Sequence, residues 1–375
     1  MKSAKRWLVL LVFLPALIFF AFTNYYIDPN DQFHNDSIEM AKAMLDGNTI
    51  YIESYVNERE IKKNVIIGMT DDVDCIVMGS SEGRTIDSGM AGTDSFYNLS
   101  VASADMYDVL AQFGLMELYG KTPKRIIISL DNYFFDEDVY KFNQDAIANH
   151  EGLYPYAQYM LGILGVEDET VELQKENPFD ISLFSKVQTL FSLKYFQASM
   201  DVIEKLGAYG GPLNRLEFWG IENGQTSSHP SNTIYYRPDA SYIYSDDIVS
   251  RTADDVKNIS NSLDVYLLLD SKISDYSLKV LNKLVEHLYN KGIEVEFFLS
   301  PISPSFWDRI VNEYGGDSAF DGPKQLMYDM AEQYGCKIIG GFNPHDFEIE
   351  DSDYYDATHM RAESLAKYFD FSSNF

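Results

Sequence analysis

Cys75-Ile-Val-Met-Gly79-Ser80-Ser81 runs four residues of apolar character into a glycine and two serines. A short apolar run closed by small residues reads as a buried strand ending in a tight turn, and this turn presents a serine. Working outward, residues 95–101 and 125–130 read as two further strands. Between them, residues 106–119 carry apolar side chains at helical spacing and are closed by Gly120. Towards the C-terminus, 275–290 reads as a helix and 293–299 as a strand running into Ser300-Pro-Ile-Ser-Pro304. A helix over 324–334, a strand over 336–339 and a last helix over 361–369 complete the series. Strands alternating with helices predict an α/β fold, a mostly parallel sheet covered on both faces in three layers. In such sheets the chemistry gathers beyond the carboxyl ends of the strands. Ser81, the Asn98 region, Asp131-Asn132 and Ser300 all fall there.

Composition narrows the function. The 375 residues carry a net charge of −29, whereas a nucleic-acid partner requires a basic footprint. With 46% hydrophobic residues, 27 tyrosines and 24 phenylalanines, the chain is no acidic disordered tail. Its two cysteines, Cys75 and Cys336, each open an apolar stretch and read as thiols in the interior, not as a disulfide.

The N-terminus predicts topology. Lys2, Lys5 and Arg6 precede an apolar run from Trp7 to Phe22, and Thr23-Asn24 and Tyr25-Tyr26 follow. Counted to Ile27 the segment has about 21 residues, enough to span a hydrocarbon core of roughly 30 Å. Basic residues ahead of it place the N-terminus in the cytoplasm and the body outside. The alternative is a cleaved signal peptide, but Ala21-Phe-Thr23 is a poor cleavage site. The expected organisation is a transmembrane anchor over 1–27, a membrane-proximal helical lead-in over 28–70 and an α/β domain over 71–375. The lead-in holds helices over 37–45, with Asp36 as N-cap, and over 54–67. An inserted cap region occupies about 140–262, is rich in Tyr, Phe, Asn and Gly, and contains a helix over 182–206. An exported chain without a disulfide framework suits the cell membrane of a bacterium, Gram-positive by expectation.

The second chemical signal lies 278 residues after Ser81, in Asp356-Ala-Thr-His359 just ahead of the last helix. A serine hydroxyl becomes nucleophilic when a histidine takes its proton and a carboxylate holds that ring in the right tautomer. Asp and His three residues apart can share one loop, so Ser81, His359 and Asp356 are expected to form one site. The competing reading of Ser80-Ser81 is an ordinary helix cap. Arg84 either meets an anionic group near the site or forms a salt bridge. The acidic clusters Asp136-Glu-Asp138 and 348–353 lack the ligand spacing of a calcium loop, so neither a metal nor a cofactor is expected. Phe184, Phe191, Tyr195 and Phe196 sit at near-helical spacing and are expected to pack in the core.

With those residues placed, the chain resembles the SGNH/GDSL hydrolase superfamily. Within it, it is similar to the membrane-anchored branch that holds the teichoic-acid D-alanylation protein and the alginate and cell-wall polysaccharide O-acetylation proteins. The likeness covers roughly 72–135 and 293–370, about 40% of the chain, and the lead-in Asn57-Glu-Arg-Glu-Ile-Lys fits the same branch. It implies an SGNH-like (flavodoxin-like) fold with Gly79-Ser80-Ser81 in place of Gly-Asp-Ser and Ser81 as nucleophile. Asp356 and His359 match the Asp-x-x-His block. Where the family has an oxyanion-hole glycine this chain offers Ser103, or less favourably Ser100. Where the family has Gly-x-Asn it offers Asn132. The implied function is serine-dependent acyl transfer, of the O-acetylation or D-alanylation type, to a cell-envelope polymer, with a membrane-bound O-acyltransferase as partner. The alternatives are an esterase that strips such groups and a non-catalytic scaffold that partners the acyltransferase.

Overall fold

A computed structural model of the chain describes residues 2–29, 31–54, 56–131, 134, 153–166, 183–209, 218–222, 229–263, 275–315 and 318–372. The side chains of 2–13, 183–185, 205–209, 314 and 318–319 lie outside that description. The chain opens with helix α1 (Lys2–Ile27), then α2 (Asp36–Leu45), strand β1 (Ile50–Ile52) and α3 (Glu58–Gly68). Among the described residues no helix is long and apolar enough to cross a membrane. The alternation follows as β2 (Asp72–Gly79), α4 (Ser88–Ala91), β3 (Phe96–Asn98), α5 (Met106–Tyr119) and β4 (Thr122–Ser129). Next come α6 (Tyr154–Ile163), α7 (Leu183–Leu190), α8 (Leu193–Tyr209), β5 (Trp219–Ile221), β6 (Ile234–Tyr236) and β7 (Tyr242–Ile243). Helices α9 (Asp246–Val249), α10 (Ala253–Ser262) and α11 (Asp275–Asn290) lead back to β8 (Glu294–Leu299). The chain ends with α12 (Pro304–Tyr314), α13 (Ser318–Tyr334), β9 (Lys337–Gly340) and α14 (Ala362–Tyr368).

Five strands form one parallel sheet in the order β3-β2-β4-β8-β9. Numbered along the chain within this sheet, the order is 2-1-3-4-5, that of flavodoxin-like sheets, with the switch point between β2 and β4. Side chains alternate between its faces. Ile76, Met78, Ile126, Ile128, Phe297 and Leu299 enter one core with α2, α3, α5, α6, α11 and α13. Cys75, Val77, Ile127 and Phe298 enter the other, under α10, α14 and the tail with Phe369 and Phe371. Two cores, one on each face, make three layers. The second core also holds a buried ion pair. Arg125 Nη1 donates to Glu296 Oε2 at 3.1 Å and to the Phe371 carbonyl at 2.6 Å, so β4, β8 and the tail are pinned together.

The expected helices over 106–119 and 275–290 agree with α5 and α11 to the residue. Other expectations need correction. The single helix over 182–206 is two helices, α7 and α8, that meet at Phe191-Ser192. Asp36 opens α2 instead of capping it, because Asp31 caps this end: its carboxylate accepts the Asp36 and Ser37 N–H groups at 2.8 and 2.7 Å. The region expected as an insertion also supplies strands to a sheet of its own. There β1 of the lead-in pairs with β5 and β6, and β6 with β7, all antiparallel. Tyr195 is buried, whereas Phe191 is 54% exposed and so not core; the Phe184 side chain lies outside the described residues. Cys75 and Cys336 are free thiols, the first buried and the second partly exposed.

Candidate functional site

The site begins where β2 passes the end of β4. Gly79 has φ +105, and a Cβ there would stand 2.1 Å from the Ser129 carbonyl oxygen, so only glycine allows the approach. Ser80 then turns inward and is fully buried. Its N–H donates to the Ser129 carbonyl at 3.1 Å, and its hydroxyl lies 3.1 Å from both Ser129 Oγ and Asp131 Oδ1. With Ser80 spent on structure, Ser81 opens a 3₁₀ turn, Ser81–Gly83, and is the serine presented at the surface of the switch point.

Opposite it stands His359, on the loop between β9 and α14. Its Nε2 lies 2.8 Å from Ser81 Oγ, and its Nδ1 lies 2.9 Å from each carboxylate oxygen of Asp356. Asp356 Oδ1 also accepts the N–H groups of Thr358 and His359, at 3.0 and 2.9 Å, so the carboxylate braces its own loop. Burial pushes the Asp356 carboxyl up, but His359 and these two N–H donors hold it well below the usual carboxylate range. An ionised carboxylate at Nδ1 assigns the ring proton to that nitrogen and leaves Nε2 to accept the proton of Ser81. The His359 and Asp356 side chains are 20% and 23% exposed, shielded from water yet reachable.

The lead-in and the insertion both reach this site, which the sequence did not reveal. From α3, Glu58 accepts the Ala102 N–H at 2.9 Å and the Tyr236 hydroxyl at 2.9 Å. Arg59 clamps Asp108 through two bonds of 2.7 and 2.8 Å and donates to the Ala102 and Ser103 carbonyls at 3.3 Å. The loop so held contains Ser103, whose φ of +49 is the left-handed backbone that glycine adopts without strain. That conformation is why a glycine would serve at this place. Ser100 is buried, and its N–H is taken by Asn98 Oδ1 at 3.0 Å. Asn98 in turn donates to the Gly83 and Ile86 carbonyls at 2.9 and 2.8 Å, tying the end of β3 to the turn that carries Ser81. Asn132 lies outside the described residues.

Arg84 meets protein groups. Its guanidinium stacks between Tyr242 and Tyr244, 3.9 and 4.5 Å from the ring centres, with Glu58 at 3.8 Å. Tyr244 also stands 5.9 Å from the His359 ring and 4.5 Å from Tyr355, and so forms an aromatic wall beside the imidazole. Below it the buried ammonium of Lys62 donates to the Asn98 and Ala240 carbonyls at 2.7 and 2.5 Å. Burial pushes this amine down to about 8 against the opposing pull of Glu58 and Asp239. The acidic residues at 348–353 are used as local braces: Asp351 accepts the Ser305 N–H at 3.0 Å, and Asp353 accepts the Ser364 hydroxyl at 2.8 Å. Asp136-Glu-Asp138 falls outside the described residues. Neither a protein-family model nor a curated protein matches the chain.

Proposed function

We propose that the chain is an SGNH-like serine acyltransferase, anchored in the cell membrane by residues 7–27 with its body outside, that esterifies a cell-envelope polymer. One observation carries the reading: Ser81 Oγ, His359 Nε2 and the Asp356 carboxylate stand in an unbroken hydrogen-bonded row at the switch point of the sheet. His359 takes the Ser81 proton as Oγ attacks the acyl carbonyl, and returns it to the leaving oxygen when the tetrahedral intermediate collapses. A hydroxyl of the polymer then attacks the acyl-serine, its proton passing to His359 and back to Ser81. Backbone N–H groups at Ser81 and Ser103, with the Asn132 amide, are the proposed oxyanion donors, each worth about 3–4 kcal/mol in the transition state. Activated acyl donors are made in the cytoplasm, and a single anchoring helix gives them no route across the bilayer. A polytopic membrane-bound O-acyltransferase is therefore the proposed partner. The charge of −29 leans the acceptor towards a neutral glycan over a teichoic acid.

The test compares wild type with Ser81→Ala in two measurements, labelling by a fluorophosphonate probe and the ester-linked acyl content of the envelope. Both should be lost together. Acylation that rises without Ser81 would reassign the protein as an esterase, and a wild type that never labels would leave the scaffold reading. Protease accessibility in wall-stripped cells tests the topology, since full protection of residues beyond 30 is incompatible with an outside body.

A further inference from the structure

The helical hairpin of α7 and α8 exposes an apolar patch around its turn, although the rest of α8 keeps Gln197, Asp201 and Glu204 outside and buries Val202 against Ile27. Three of its polar side chains, Thr189, Tyr195 and Ser199, meet the end of α1 and the residues after it. Asn24 is fully buried, and its amide donates to the carbonyls of Thr189, Leu190 and Ser192 at 3.3, 3.0 and 3.2 Å. These carbonyls belong to the end of α7 and the turn after it; those of Thr189 and Ser192 also accept the Ser192 and Phe196 N–H groups, each at 3.1 Å. Ser199 Oγ lies 3.3 Å from Asn24 Oδ1, the Tyr195 hydroxyl donates to Asp28 at 2.5 Å, and Thr189 Oγ1 donates to Gln32 at 2.9 Å. Apolar side chains at the turn point outward. Phe22 and Tyr25 of α1 are 62% and 50% exposed; Phe191 and Leu193 at the hairpin turn are 54% and 60% exposed; Val187 and Met200 continue the same surface. A groove of about 460 Å³ between α1 and the turn is lined by apolar residues and Tyr25.

We infer that this hairpin is a membrane foot, seated in the outer leaflet of the bilayer beside the anchor. The inference rests on the proposed anchor. If residues 7–27 cross the membrane, whatever packs along the last turns of α1 shares their depth. The hairpin meets α1 from Phe19, 6.0 Å from the Phe196 ring, through Phe20, stacked on Phe196 at 3.9 Å, to Asp28. At about 1.5 Å per residue that contact covers roughly 13 Å of helix axis. The outer half of a hydrocarbon core of roughly 30 Å is about 15 Å deep. The hairpin turn therefore lies at acyl-chain depth and not above the headgroups. Lipid demands that backbone carbonyls be satisfied from within the protein; at the hairpin turn Ser192 N–H and Phe196 N–H bond the Thr189 and Ser192 carbonyls, and Asn24 adds the donor to Leu190. Asp28 then fastens the collar where the chain leaves the bilayer, accepting the N–H groups of Gln32 and Phe33, each at 2.8 Å, as well as the Tyr195 hydroxyl. A domain held at two points of the membrane cannot swing on a single helix, and Ser81 is kept at a set height above the surface.

The test uses the full chain in vesicles of phosphatidylcholine and phosphatidylglycerol, in a Cys336→Ser background that leaves only the buried Cys75. An environment-sensitive NBD label is placed in turn at Val187→Cys, Phe191→Cys, Ile18→Cys and Asp254→Cys. The expected result is blue-shifted emission at 187 and 191, quenched by nitroxides on shallow acyl carbons and not by iodide, with the reverse at 254. Iodide quenching at 187 and 191 alongside lipid quenching at 18 would overturn the foot and leave the anchor standing. Iodide quenching at 18 as well would sink the anchor and the foot with it. Protection of 187 and 191 from both quenchers would mean that protein, such as a second copy of the chain, covers this face, and would equally overturn the proposal.

Discussion

Asp356→Asn isolates the carboxylate from the shape of its loop. Asparagine keeps an oxygen where Asp356 Oδ1 accepts the Thr358 and His359 N–H groups, so the loop should fold as before. What changes is one of the two atoms that stand 2.9 Å from His359 Nδ1, since Oδ1 stays and Oδ2 becomes an amide nitrogen, and with it the negative charge is lost. That NH₂ favours an accepting Nδ1 and so a ring proton on Nε2, which takes away the base that stands 2.8 Å from Ser81. Loss of the right tautomer in a serine triad costs roughly 10⁴-fold in kcat, or about 5 kcal/mol. His359→Ala should be worse, and the double variant scarcely worse than His359→Ala alone, because members of one catalytic unit are strongly non-additive. Stability offers an independent check. The Asp356 carboxyl is held below its ordinary range in the folded chain, so the stabilisation from its ionised form is present above that range and is lost as pH falls through the depressed value. The variant should lose about 1.5–3 kcal/mol at neutral pH, the scale of a charge-assisted bond, and the gap to wild type should close in acid. The assay is acyl-enzyme formation by stopped-flow with an activated ester, beside urea melts across pH. A rate loss below tenfold, or cleanly multiplicative losses in the double variant, would refute the assignment of Asp356 to His359.

Three further variants test the surroundings. Ser80→Ala should still label with a fluorophosphonate but lose about 1–3 kcal/mol in urea melts, because it removes a buried donor to Asp131; labelling that depends on Ser80 and not on Ser81 would move the nucleophile. Ser103→Gly should retain activity and be neutral or more stable by up to about 1 kcal/mol, whereas Ser103→Val should be impaired in both, since a β-branched residue resists the left-handed backbone found there. Lys62 predicts a pH window: its folded value of about 8 lies below the ordinary 10.5, so the unfolded chain holds more protons between the two and stability rises with pH across that window. Relative to Lys62→Met, wild type should gain about 3 kcal/mol between pH 8 and 10.5 in melts, and a flat difference would refute the burial argument.

The parallel sheet was readable because each strand is an apolar run a few residues long, and the serine turn because Gly79 and two serines end such a run. Periodicity says which residues are buried, and it served as well for α5 and α11. It failed for β1, β5, β6 and β7, each of two or three residues and too short to show an alternation. It also failed for α12, since Ser300-Pro-Ile-Ser-Pro304 reads as a loop, although Pro304 sits at the first turn of the helix, where a missing N–H costs nothing. Phe191 shows the same limit from the other side. Spacing marks an apolar face without saying whether protein or another apolar medium covers it. Asp356 and His359 were legible because their bond is local. Glu58, Tyr242 and Tyr244 were not, because they reach the site by contacts between separate elements, Glu58 with Ala102 across 44 residues and Tyr244 with Arg84 across 160.

Those distant contacts give the lead-in a place in the chemistry. Hydrogen bonds link the collar at Asp28, whose carbonyl accepts the Asp31 N–H at 3.0 Å, to Asp31, which accepts the Ser37 N–H, and to Ser37 Oγ, which accepts from Asn64 Nδ2 of α3 at 3.1 Å. At the other end of α3, Glu58 and Arg59 hold Ala102 and Ser103. A flexible tether would need none of these bonds. A left-handed serine costs about 1–2 kcal/mol wherever it is imposed, and it persists only when its surroundings over-determine it. Here the bidentate Arg59–Asp108 pair and the Glu58 carboxylate supply that constraint from the same segment that joins the body to α1. The segment next to the proposed anchor therefore also shapes the loop proposed to hold the oxyanion. Removing α1 alone should spare this loop and its fluorophosphonate labelling, whereas Glu58→Gln with Arg59→Gln, which leaves the α2 and α3 side chains of the core in place, should loosen the loop and lower that labelling.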